Sequence, residues 1–105
     1  MPDWLVDPDK ILRYLLNKDS PSGMAKARFF QARGFRREDW PRLRDALIGH
    51  PRSAELAEVD ATSPYGTKRV FVCGIAAPDG GAPCIRTVWQ QRNGDHWLVT
   101  AYPFG

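Results

Sequence analysis

Cys84-Ile85-Arg86-Thr87-Val88-Trp89-Gln90-Gln91-Arg92-Asn93-Gly94-Asp95-His96-Trp97-Leu98-Val99-Thr100-Ala101-Tyr102-Pro103 is the stretch that decides the fold. An Asn-Gly pair between two runs rich in β-branched and aromatic residues is the strongest short-range hairpin signal, because both turn positions need positive φ. It predicts strands over Cys84 to Gln91 and His96 to Tyr102, the second stopped by Pro103. A two-residue Asn93-Gly94 loop pairs Trp89 with Leu98 and Thr87 with Thr100, and these share a face with Tyr102. A one-residue bulge flips the parity and brings Arg86 onto the Thr100 and Tyr102 face instead. Both registers stay open at this level, so Arg86 and Thr87 are both kept as candidates.

Working upstream, Ala77-Pro78-Asp79-Gly80-Gly81 reads as a hairpin turn and Lys68 to Ile75 as a strand rich in Val and Phe. Ser63-Pro64-Tyr65-Gly66 is a further turn, and Leu56 to Thr62 a possible first strand. Before Pro51 the apolar period becomes helical. Asp7-Pro8-Asp9 is a helix start, with an N-cap acceptor, proline at the first helical position and acid in the first turn. Ile11, Leu12, Leu15 and Leu16 then form its apolar stripe. A second helix is predicted from about Ser22 to Arg33, with Met24, Ala27, Phe30 and Phe29 inward and Gly34 as left-handed terminator. A third begins at Asp39, since Pro41 is tolerated only in a first turn. It buries Leu43, Leu47 and Ile48 and ends at Gly49-His50-Pro51. The fold class is therefore α+β in one domain over 1–105. Two or three N-terminal helices (about 8–50) pack on a three- to four-stranded antiparallel sheet (about 55–103).

With 105 residues and 43% hydrophobic content, the chain has room for one core and little more. No apolar run reaches the roughly 20 residues needed to span a bilayer, so no membrane partner is expected. Met1-Pro2-Asp3-Trp4 lacks the basic and apolar regions of a signal peptide, so any export is expected to depend on something other than a local secretion signal. The net charge of +3 is unevenly spread: residues 26–52 hold eight basic side chains against three acidic ones. Such a stripe suits phosphates, although a solvated helical face produces the same pattern. Cys73 and Cys84 lack C-x-x-C spacing, and His50 and His96 have no partner at ligand spacing, so no metal site is expected. The two cysteines fall on neighbouring strands, where a disulfide is geometrically possible. Two buried free thiols are the simpler expectation.

No glycine-rich nucleotide loop, G-x-S-x-G or Ser/His/Asp pattern is present. What stands out is a set of polar residues in strands: Lys68, Arg86, Thr87, Thr100 and Tyr102, with Lys26 early in a helix. Cleaving RNA without a metal needs a base for the 2′-hydroxyl, an acid for the leaving oxygen, and donors or cations on the phosphorane-like transition state. Lys, Arg, Thr and Tyr fill the stabilising roles directly; Lys or Tyr serves as acid or base only with a shifted pKa. Taken singly, each also reads as an ordinary strand or helix surface residue. His96, close to a turn, is expected to be exposed.

Several segments resemble a family of small bacterial domains of unknown function. They are Lys10-Ile11 with Tyr14-Leu15-Leu16-Asn17, Gly23-x-x-Lys26-Ala27-x-Phe29-Phe30, Gly34-Phe35, Tyr65-Gly66-Thr67-Lys68, Arg86-Thr87-Val88-Trp89 and Leu98-Val99-Thr100-Ala101-Tyr102-Pro103. Members occur alone and at the C-termini of large polymorphic toxin-like proteins. The helices-then-sheet layout is similar to the barnase–EndoU–colicin–RelE superfamily of ribonuclease toxins. The resemblance implies a metal-independent endoribonuclease that needs no cofactor and cuts RNA, tRNA included, through a 2′,3′-cyclic phosphate. It implies action in the cytoplasm, delivery within a larger secreted protein, and a cognate antitoxin or immunity protein. Lys26, Lys68, Arg86, Thr100 and Tyr102 carry over as site residues. The family often has a histidine where this chain has Ser20, which puts an acid or base there in doubt and leaves His96 as a substitute. The alternative is a non-catalytic binding module, either an antitoxin or immunity-type partner or an RNA-binding adaptor.

Overall fold

The computed structural model describes residues 3–21, 23–62, 64 and 66–104. Met1, Pro2, the Ser22 helix start, and Ser63 and Tyr65 of the turn before Lys68 lie outside the described residues. The architecture is α+β: three helical segments lie against a five-stranded sheet of order β1-β5-β4-β3-β2. The strands are β1 (Trp4–Leu5), β2 (Glu55–Asp60), β3 (Lys68–Gly74), β4 (Cys84–Arg92) and β5 (Asp95–Pro103). The sheet is mixed rather than purely antiparallel, because β1 runs parallel to β5, pairing Trp4 with His96 and Leu5 with Trp97. A two-residue strand has too little period to announce itself in sequence.

The first helix, α1, begins at Pro8–Lys10, where the Asp7 side chain accepts from the Asp9 amide at 3.0 Å. It then widens into a π-turn over Ile11–Leu15, in which the Leu16 amide bonds the Ile11 carbonyl. Such widened turns are rare and gather at functional sites. Helix α2 spans Met24–Ala32 and closes in a Schellman motif: the Phe35 amide reaches the Phe30 carbonyl and the Gly34 amide the Gln31 carbonyl, with Gly34 at φ 96°. Ala27 and Phe30 are buried, but Met24, expected inward, is exposed because it sits at the helix's first residue, beyond the core's edge. Helix α3 covers Trp40–Ser53 and runs through Pro51 instead of ending there. Only its last turn follows the proline, and the Ala54 amide closes it on the His50 carbonyl at 2.8 Å.

The core lies between the helices and one sheet face: Ile11, Leu15, Leu16, Phe30, Phe35, Leu43 and Leu47 meet Phe71, Ile85, Trp89, Leu98 and Ala101. Within it, three polar side chains satisfy one another. His50 Nε2 donates to the Cys73 carbonyl at 2.6 Å, which leaves Nδ1 to accept from the Thr87 hydroxyl at 2.8 Å. The Thr87 oxygen in turn accepts from Trp89 Nε1–H at 3.0 Å. Burial holds the His50 pKa below its ordinary value, opposed by its bond to Cys73. His96 is buried too, contrary to its expected exposure, because the unanticipated β1 lays the Trp4 ring on it at 4.0 Å between centroids. The cysteines depart from expectation the other way: Cys73 is exposed and Cys84 half-buried.

Candidate functional site

The β4–β5 hairpin contains both registers foreseen for it. Near the Asn93-Gly94 turn, where both residues have positive φ, Trp89 pairs with Leu98; beyond that point Val88 pairs with Thr100, Thr87 with Ala101 and Arg86 with Tyr102. Val99 is the extra residue. The bulge places Thr87 and Ala101 on the core face, and Arg86, Thr100 and Tyr102 on the other. Thr87 is fully buried and committed to His50 and Trp89, so it is not gathered with the other candidates.

Across the sheet, that second face reads in rows: Glu55, Val72, Arg86 and Tyr102; then Glu58, Val70, Val88 and Thr100; then Asp60, Lys68, Gln90 and Trp97. Lys68 thus shares the face but stands two rows from Arg86, about 13 Å along the strands. It lies across β2–β3 from Asp60, whose carboxyl is held below the usual range by the Thr62 hydroxyl and amide and, to a smaller extent, by the Lys68 charge.

Beyond Leu5 the edge of β5 is free of β1, and α1 and α2 lie alongside it, Tyr14 reaching Thr100. The two helical segments approach closely because residue 23 is glycine. A Cβ there would stand 2.3 Å from the Tyr14 carbonyl oxygen. Ser20 caps this junction, its Oγ accepting from the Gly23 amide at 3.2 Å. The result places Lys26 Nζ 4.9 Å and Lys10 Nζ 5.7 Å from the centre of the Tyr14 ring. Hydrogen bonding to Lys26 draws the Tyr14 phenol below its ordinary pKa; burial opposes this, while the Thr100 hydroxyl and the two lysine charges add to it. Thr100 Oγ1 approaches that hydroxyl without a well-formed hydrogen bond and is buried. Arg86 donates through Nη2 to Glu58 Oε2 at 3.0 Å, while its Nε–H is buried with no partner among the described residues.

Lys26 and Thr100 therefore meet Tyr14 at the β5 edge, while Arg86 and Tyr102 face each other one row along the same sheet face, the Arg86 guanidinium turned toward Glu58 of β2. Tyr14 lies in the Tyr14-Leu15-Leu16-Asn17 segment and is the one member of this junction that sequence reasoning misses. Its signal was the Lys10/Tyr14 i,i+4 spacing, which places a cation beside a phenol on one helical face. These groups offer cations, hydroxyl donors and one phenol of lowered pKa, a set suited to an anionic phosphate ester.

The family described as a domain of unknown function, DUF6883, matches this chain over residues 2–105. The chain belongs to the DUF6883 family. No curated protein matches this DUF6883 domain. Among solved structures it is similar to a chain of the "Contact-dependent growth inhibition toxin - immunity protein complex from Klebsiella pneumoniae 342", with a TM-score of 0.74 and 16% identity, covering 95% of this chain and 92% of that one. At that identity the likeness shows a shared fold.

Proposed function

We propose that this DUF6883 domain is a toxin domain that cleaves RNA without a metal, leaving a 2′,3′-cyclic phosphate. The observation that carries this reading is the junction of Tyr14 and Lys26 with Thr100 at the β5 edge, next to Arg86 and Tyr102. Tyr14, its pKa lowered chiefly by Lys26, takes the 2′-hydroxyl proton. The 2′-oxygen attacks the adjacent phosphorus. Arg86 and Thr100, each with an unpaired buried donor, bind the phosphoryl oxygens as charge grows on them. Tyr102 gives a proton to the departing 5′-oxygen. Lys68, farther along the face, contacts the flanking strand. The fold shared with a structure titled as a growth-inhibition toxin–immunity complex supports the toxin context.

The test is purified protein incubated with total RNA and EDTA. Fragments ending in 2′,3′-cyclic phosphate are expected, and Tyr14→Phe or Lys26→Met slows their release by about 10²–10⁴-fold with folding intact. No fragments, or undiminished cleavage by both variants, overturns the reading. A second reading, a non-catalytic antitoxin or immunity-type module, draws on the uncovered edge strand β2, where Leu56 and Val59 are half exposed. A stable complex with a protein partner, with no RNA cleavage, would establish it.

A further inference from the structure

We infer that Cys73 and Cys84 form a thiol–disulfide modification site, closing to a cross-strand bond when a low-molecular-weight disulfide is present. In the β3–β4 ladder Cys73 faces Ile85 and Cys84 faces Gly74, so the two cysteines are offset by one residue. A regular ladder would send their side chains to opposite faces. Cys73 instead adopts φ 96°, a region that β-carbon-bearing residues rarely enter and that is held only where surroundings enforce it. The enforcing contact is the buried His50, whose Nε2 grips the Cys73 carbonyl at 2.6 Å. With the backbone so turned, Cys73 Sγ and Cys84 Sγ meet at 2.6 Å. Bringing the two thiols into contact is the visible consequence of the unusual backbone.

Access favours reaction: Cys73 is exposed and Cys84 half-buried. The step balances as a thiol–disulfide exchange. The Cys73 thiolate attacks one sulfur of the small disulfide and expels one thiol. The Cys84 thiolate then attacks Cys73 Sγ of the mixed disulfide and expels the second. Two protein S–H bonds are lost, one S–S bond forms, and the reagent's disulfide is reduced to two thiols. The closed pair encircles the Gly74–Pro83 loop and staples β3 to β4 at the end where His50 is anchored. A reducing compartment reopens it.

The experiment equilibrates the full chain with oxidised glutathione, quenches with N-ethylmaleimide and weighs it. The expected product is lighter than the reduced protein by two hydrogen masses, carries no maleimide, and takes up two after reduction. Oxidation raises Tm by on the order of 10 °C. Cys84→Ser, with one thiol left, gives a glutathione adduct or a single maleimide adduct and no such Tm rise. Two maleimide adducts on the wild-type chain after equilibration, or a Tm rise that persists in Cys84→Ser, overturns the inference. Thiol counting reads nothing of RNA cleavage, so the two proposals fail independently.

Discussion

Replacing Thr87 by valine keeps the side chain's shape and removes one oxygen, and the structure gives that oxygen two tasks. It donates to His50 Nδ1 at 2.8 Å and accepts from Trp89 Nε1–H at 3.0 Å, with Thr87 and Trp89 fully buried and His50 nearly so. Thr87→Val therefore strands an acceptor and a donor where water does not reach. Each orphan costs about 1–3 kcal/mol, and the added methyl returns about 1 kcal/mol, for a net loss of about 1–5 kcal/mol. For a domain of this size that lowers Tm by on the order of 10–20 °C. Urea titration followed by tryptophan fluorescence measures it. Thr100→Val is the matched control: its hydroxyl has no well-formed hydrogen bond, and a loss under about 1 kcal/mol is expected. If Thr87→Val leaves stability within about 0.5 kcal/mol of wild type while impairing RNA cleavage, the buried network is misread and Thr87 belongs to the site.

Stability should also depend on pH through two histidines. Burial lowers the folded-state pKa of both His50 and His96 beneath the roughly 6.5 of an unfolded chain. The unfolded chain then binds more protons, so stability is complete above about pH 6.5 and falls toward acid by at most about 1.4 kcal/mol per pH unit per histidine. Urea midpoints between pH 8 and 5 follow this, and a flat profile refutes it. Gly23→Ala drives a methyl into the Tyr14 carbonyl and should cost about 1–3 kcal/mol while parting Lys26 from Tyr14. Unfolding and cleavage measured together are expected to fall together, and an unchanged protein would show that the two helical segments are not held by that approach. Gly34→Ala meets both a φ of 96° and the Pro78 side chain at 3.0 Å, and should lose about 1–2 kcal/mol in the same titration.

What could be read without coordinates was what local chemistry dictates. Asn93-Gly94 demands two positive φ values, and Gly34 after an apolar helical stripe marks an end; both features stand where expected. Pro51 misled: α3 continues two residues past it to Ser53, its end held by the Ala54 amide on the His50 carbonyl. The rest depends on distance in sequence. β1 is defined only by its pairing with residues more than ninety positions away. His50 looks like any helical histidine until Cys73 and Thr87 close over it. Of the candidate site, Lys26, Arg86, Thr100 and Tyr102 were visible as polar residues in ordered segments, but the shared face of the last three and the meeting of Lys26 with Thr100 at Tyr14 were not. These turn on the place of the bulge and on Tyr14, a residue whose role arises from the glycine nine positions later.

Val99 puts the two halves of β5 in opposite phase, and this makes the strand's length a chemical constraint. Loss of that one residue would keep the turn and the Trp89–Leu98 pairing intact, yet rotate Thr100 and Tyr102 under the helices in exchange for Ala101. Such a chain would still form its hairpin tip while presenting Ala101 where Thr100 and Tyr102 now stand. One-residue insertions or deletions here thus exchange which side chains face outward. Sequences that keep every named side chain but differ by one in the count between Gly94 and Tyr102 should be read as having lost the face.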